Sequence, residues 1–156
     1  MGITDNQNFK NLLKSNKEKL GVLRKILEVS LRIKDEADSG GEDAPDNIAA
    51  HADAREELIE KIKNIDLAVK HYGSELSGFN IAGLPPESEL SKVLAEIKTV
   101  LDAIKSADEI NRERMSFLMQ GIKQKIKAVK ENRTLMDKFM GDGEMSSAGT
   151  LLSEKK

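Results

Sequence analysis

A chain of 156 residues, 38% apolar, 33% charged and only 3% aromatic, has the length of one domain and the composition of helical bundles and coiled coils. With no cysteine there can be no disulfide, thiolate metal site or cysteine nucleophile, and no apolar run approaches membrane-spanning length. The net charge of −2 hides blocks of sign: residues 10–34 are basic, residues 35–60 carry ten acids against Arg55 alone, and residues 112–138 are basic again.

The first residues, Met-Gly-Ile-Thr-Asp-Asn-Gln-Asn, have neither the basic start nor the apolar core of a leader, so a soluble cytoplasmic protein is expected. Thr4 or Asp5 can cap a first helix running to about Ala37, with a stripe of Phe9, Leu12/Leu13, Asn16, Leu20, Leu23, Ile26/Leu27 and Ser30/Leu31. The stretch Asp38-Ser-Gly-Gly-Glu-Asp-Ala-Pro45 breaks that period. Pro45 suits the first turn of a second helix, whose stripe of Ile48, Ala52, Arg55, Leu58/Ile59, Ile62, Ile65 and Val69 reaches about Tyr72. Residues 73–86, with three glycines and two prolines, read as an irregular loop pinned to the bundle end by Leu76, Phe79, Ile81 and Leu84.

A third helix starts at Pro86 or Glu87. Its apolar pattern then runs without proline from Leu90 through Val93/Leu94, Ile97, Leu101, Ile104, Ala107/Asp108 and Asn111 to Met140. Ser106-Ala-Asp-Glu109 has capping-box spacing and offers an alternative start for a fourth helix, although no glycine or proline supports a turn there. The three helices would be about 50, 40 and 80 Å long at the standard rise. The expected fold is an all-α, antiparallel three-helix bundle or coiled coil with a long C-terminal helix, over residues 1–140. Residues 141–156 lack period and core and are expected to be a flexible tail.

From about Met115 the third helix outruns the second, and it does so with apolar side chains: Met115, Leu118, Met119, Ile122, Ile126, Val129 and Met136. A large apolar side chain left in water forfeits about 1.5–3 kcal/mol of burial, so a fold-back, a second copy or another protein is expected to cover them. Four methionines in this half suit an adaptable contact surface.

Motifs that carry chemistry are missing. His51 and His71 stand twenty residues apart with no zinc spacing, and there is no phosphate-binding glycine loop, nucleophile elbow or His-Glu-x-x-His helix. Neither an enzyme nor a cofactor or metal is expected. Lys123, Lys125, Lys127 and Lys130 form a basic run without aromatic platforms on a slightly acidic chain, which argues against nucleic acid as the partner.

Two segments point to a family. Arg55-Glu-Glu-Leu-Ile-Glu-Lys-Ile62 resembles the Arg-x-x-Leu-Ile element of the second helix of flagellar type III export chaperones of the FlgN and FliT kind. Asp108-Glu-Ile-Asn-Arg-Glu-Arg-Met115 resembles the asparagine-bearing middle of their last helix, with Asn111 at the matching place and Arg114 where some members have a second asparagine. The resemblance covers residues 9–143. It implies a cytosolic, all-helical chaperone that binds a late substrate, a hook-associated or filament-cap protein, along the apolar face of the last helix. It implies that the chaperone keeps this client unassembled and delivers it to the export gate. Phe139 stands nearest the aromatic residue with which members dock at the gate, without the phenol. A homodimer in the absence of client is compatible with this reading; the alternative is a homo-oligomeric coiled-coil adaptor or structural protein with no client.

Overall fold

The computed structural model describes residues 2–140, with side chains to residue 136. A single 3₁₀ turn, Ile3–Asp5, precedes three helices: α1 (Gln7–Ser39), α2 (Ala44–Glu75) and α3 (Glu89–Met140). The described residues contain no strand. The fold is an all-α helical bundle with a long last helix.

Each helix end has a local cause. Asn6, rather than Thr4 or Asp5, caps α1: its Oδ1 accepts from the Asn8 N–H at 2.8 Å, because Thr4 and Asp5 are taken up in the 3₁₀ turn. Gly40 closes α1 in the left-handed region at φ 59°, where its N–H reaches the Glu36 carbonyl and a side chain would be strained. Pro45 lies in the first turn of α2, joined by Asp46, whose charge suits a helix N-terminus. Ser88 caps α3, its Oγ accepting from the Ser91 N–H at 3.3 Å. Ser106 is an exposed residue inside α3, so the capping-box spacing there starts no fourth helix.

The described residues divide into two compact units that part between Arg114 and Met115. In the first, α1 and α3 run parallel and α2 runs against both. Phe9 and Leu12 at the start of α1 pack with Leu90 at the start of α3 and with Val69 and Tyr72 near the end of α2. Farther along, Leu20, Leu23 and Ile26 meet Val93, Ile97 and Ile104, with Leu58, Ile59 and Ile62 of α2 on the third side. Ion pairs trace the same order: Lys17 with Glu89 and Arg24 with Glu96 between α1 and α3, Lys19 with Asp66 at 2.7 Å between α1 and α2.

Within the first unit, α2 is the least buried of the three helices over its central turns. Leu58, Ile59, Ile62, Ile65 and Val69 are half-buried and Ala52 is exposed; the buried residues of α2 are Ala44 and Ile48. The α2–α3 loop is anchored by Leu76, which is fully buried, with Ile81 and Leu84 against the same cluster. Phe79 is not one of its anchors and is 44% exposed. It lies one turn past Leu76, and its amide spends itself on the Leu76 carbonyl in a tight turn at 2.9 Å. The loop then reverses at Asn80, whose Oδ1 accepts from the Gly83 N–H at 3.0 Å; a Cβ on Gly83 would collide with the Asn80 side-chain amide.

Candidate functional site

From Met115 onward the apolar positions of α3 follow a heptad. Met115, Ile122, Val129 and Met136 step by seven residues, and Met119, Ile126 and Arg133 fall four residues after the first three. Alternating steps of four and three keep all seven on one side of the helix, the spacing of a coiled-coil seam. The apolar members of this stripe are 42% (Ile122) to 63% (Val129) exposed. At that exposure a helical side chain touches little beyond the turns of its own helix. In the first unit, by contrast, Val93, Ile97 and Ile104 of the same helix keep 6–8%.

Leu118 is half-buried beside the stripe. Phe117 and Leu135 are exposed at 72% and 53% but stand off it; Phe117 is roughly 200° around the helix from Met115. Lysines border the stripe on both sides, Lys123 and Lys130 on one and Lys125 on the other. No carboxylate of a described residue lies within ion-pair distance of these three or of Lys127. An open hollow of about 340 Å³ is lined by Val129, Asn132, Arg133 and Met136.

A second group of polar side chains lies in the first unit, where the core turns polar. Asn111, 6% exposed, donates from Nδ2 to the Ser30 carbonyl of α1 at 2.9 Å. Its Oδ1 and the fully buried Ser30 Oγ have no hydrogen-bond partner among the described residues. Beside them Arg55 of α2 pairs with Asp108 of α3 at 2.6 Å, both side chains about two-thirds buried, and Arg114 pairs with Asp38 at the end of α1. Three helices thus contribute polar groups to one end of the bundle.

Other concavities and titratable groups offer less. A groove of about 590 Å³ between α1 and α2 is lined by Glu18, Gly21, Val22, Lys25, Lys61, Asn64 and Ile65, a mixed and open surface with no convergent polar set. Lys63 is held above the ordinary lysine value by its hydrogen bond to Glu60 on the outer face of α2. His71 is exposed and stacks edge-on against Tyr72, ring centroids 5.4 Å apart; His51 is half-buried on α2. Among the described residues no three His, Asp or Glu side chains gather to hold a metal, and no helix is long and apolar enough to cross a membrane.

No family model, no curated protein and no solved structure matches the chain.

Of the residues expected to bind a client, Met115, Met119, Ile122, Ile126, Val129 and Met136 share the exposed stripe and Leu118 flanks it. Phe139 lies in the last turn of α3, and its side chain falls outside the described residues. The polar end of the bundle was not foreseen from the sequence as a unit. Its signal was there: the stripes of all three helices break their apolar run at Ser30, Arg55 and Asn111; Asn111 meets Ser30, and Arg55 pairs with Asp108, one turn before Asn111 on α3. The strict seven-residue step after Met115 was a second missed signal, because a looser helical period describes the same residues.

Proposed function

We propose that the chain is a client-binding helical protein whose working surface is the stripe of residues 115–136, and that it acts as a cytosolic flagellar type III export chaperone. In this role it holds a hook-associated or filament-cap protein unassembled and presents it to an export-gate component. The observation that carries the reading is the exposure of six large apolar side chains along one seam, Met115, Met119, Ile122, Ile126, Val129 and Met136, with Arg133 alone breaking its apolar run. Covering each half-exposed side chain is worth about 1 kcal/mol, several kcal/mol together before the costs of association. An amphipathic helix laid along the seam is the mode that a heptad stripe on a helix admits. The two segments around Arg55 and Asn111 supply the flagellar part of the reading.

The double variant Met119→Glu/Ile126→Glu tests it. Both positions are more than half exposed, so the helical circular-dichroism signal and the unfolding midpoint should stay near those of the parent chain. Capture of a flagellar hook-associated or cap protein co-expressed with the chain should be lost. Unfolding of the variant, or undiminished capture, refutes the assignment of this surface.

A heptad is also what a homo-oligomeric coiled-coil adaptor would use. Under that second reading, solution mass stays at a multiple of the monomer down to nanomolar concentration and does not change when a client is added. Under the chaperone reading, the client converts any dimer to a one-to-one complex.

A further inference from the structure

The seam of residues 115–136 is basic along both edges and carries one cation within it. Lys123 and Lys130 follow Ile122 and Val129 on one edge, and Lys125 precedes Ile126 on the other. Arg133 occupies a stripe position between Val129 and Met136, where the spacing calls for an apolar side chain, and borders the hollow at that end. Glu131 projects from nearly the opposite side of the helix and neutralises neither edge.

A second copy of α3 fits this surface poorly. In a parallel pair, the residue ahead of one seam position faces the residue behind the next on its partner, which sets Lys125 against Lys130 twice and Arg133 against Arg133. In an antiparallel pair like edges meet, so the lysine edge carrying Lys123 and Lys130 faces itself. An anionic lipid surface also fits poorly. It would sink the Arg133 guanidinium with the apolar stripe, and the aromatic wedge such helices use is missing from that stripe, since Phe117 points away. A helix with acidic edges answers every one of these charges at once.

Resting on the client-binding reading above, we propose that the seam receives a single amphipathic α-helix of another protein whose apolar stripe is bordered by Asp or Glu on both edges, with one carboxylate set opposite Arg133. The lysine edges then select and orient the partner, and the apolar stripe holds it.

The test uses the full chain and synthetic helical peptides of about three heptads with a Leu/Ile stripe. One peptide carries Glu at both edges and opposite Arg133; its twin carries Lys at the same places. Fluorescence anisotropy should show the Glu peptide binding at least about tenfold tighter, with the advantage shrinking as salt rises from about 50 to about 500 mM. Arg133→Glu should weaken the Glu peptide and restore binding to a peptide bearing Lys at that one facing position. Equal affinity for the twins, binding of neither, a dimer that the Glu peptide leaves intact, or attachment to phosphatidylserine vesicles that the Glu peptide does not displace would each overturn the proposal. The two readings fail separately. A flagellar client lost from Met119→Glu/Ile126→Glu, with no preference between the twins, keeps the chaperone and removes the acidic helix. A clear Glu preference in a chain that captures no flagellar client does the reverse.

Discussion

Replacing Asn111 by Leu should make the bundle more stable, although it removes a hydrogen bond between two helices. Asn111 is 6% exposed and its Nδ2 meets the Ser30 carbonyl at 2.9 Å, a bond worth about 0.5–1.5 kcal/mol net. Against this, its Oδ1 is buried without a partner, a desolvation penalty of about 1–3 kcal/mol that the substitution relieves. The Ser30 carbonyl belongs to the interior of α1, so the helix's own ladder continues to satisfy it. Leu has nearly the outline of Asn and would bury apolar surface against the Ile104 and Ala107 stripe, adding about 1 kcal/mol. The balance is about 1–3 kcal/mol of added stability, several degrees in melting temperature for a chain of this size. Asn111→Ala, which leaves the space unfilled, should lose about 1–2 kcal/mol instead. Urea unfolding followed at 222 nm measures both. A Leu variant less stable than the parent by 1 kcal/mol or more, at an unchanged slope, would refute the reasoning. It would mean that Oδ1 is satisfied, and that the polar contact outweighs an apolar one.

Gly21 and Gly121 lie inside helices with nothing within 4 Å of where a Cβ would stand. Each Gly→Ala change should therefore add up to about 1 kcal/mol of helix stability, seen as a higher unfolding midpoint. Ile97→Ala, at 6% exposure, should cost about 2–5 kcal/mol in the same assay, whereas Ile126→Ala, at 51%, should cost less than about 1 kcal/mol. Equal losses would show that the stripe beyond Met115 is packed in the free chain. Leu76→Ala should destabilise about as much as Ile97→Ala and expose the loop of residues 76–88 to proteases; Phe79→Ser should do neither.

The helices were legible because their period is long and glycine and proline punctuate it. Pro45, the Gly40-Gly41 pair and the Pro85-Pro86 pair stand at or beside helix ends, and the buried positions of α1 and the first half of α3 fall on the three-and-four spacing, except that Leu101, which the spacing marks, is 44% exposed and Val100 packs against the core in its stead. Details set by competition between near neighbours were not legible. Thr4, Asp5 and Asn6 can all cap a helix, and which one does depends on a 3₁₀ turn that a single sequence does not announce. Phe79 has the hydrophobicity of a loop anchor, but the tight turn begun at Leu76 carries it outward. The site divides the same way. The apolar members of the stripe could be named from spacing, because exposure of a regular helix face depends only on what else the chain has to put there. The Arg55–Asp108 and Asn111–Ser30 contacts join residues 53 and 81 positions apart, and only the relative register of the helices brings them together.

That register has a consequence for how the bundle finds a single arrangement. Sliding α3 by one heptad along α1 would replace much of the apolar contact like for like: Leu90 would take the place of Ile97, and Ile97 that of Ile104. The edge pairs would object little, since Lys17–Glu89 and Arg24–Glu96 are themselves one heptad apart and exposed, each worth less than about 1 kcal/mol. The polar end would not survive the slide. Ile104 would face the Ser30 carbonyl, Leu101 would face Arg55, and Ala107 would stand where Arg114 now reaches Asp38, leaving a half-buried guanidinium unpaired. The bundle is therefore keyed like a lock with one cut: a long, forgiving apolar shaft, and at one end a few polar groups that fit in a single position.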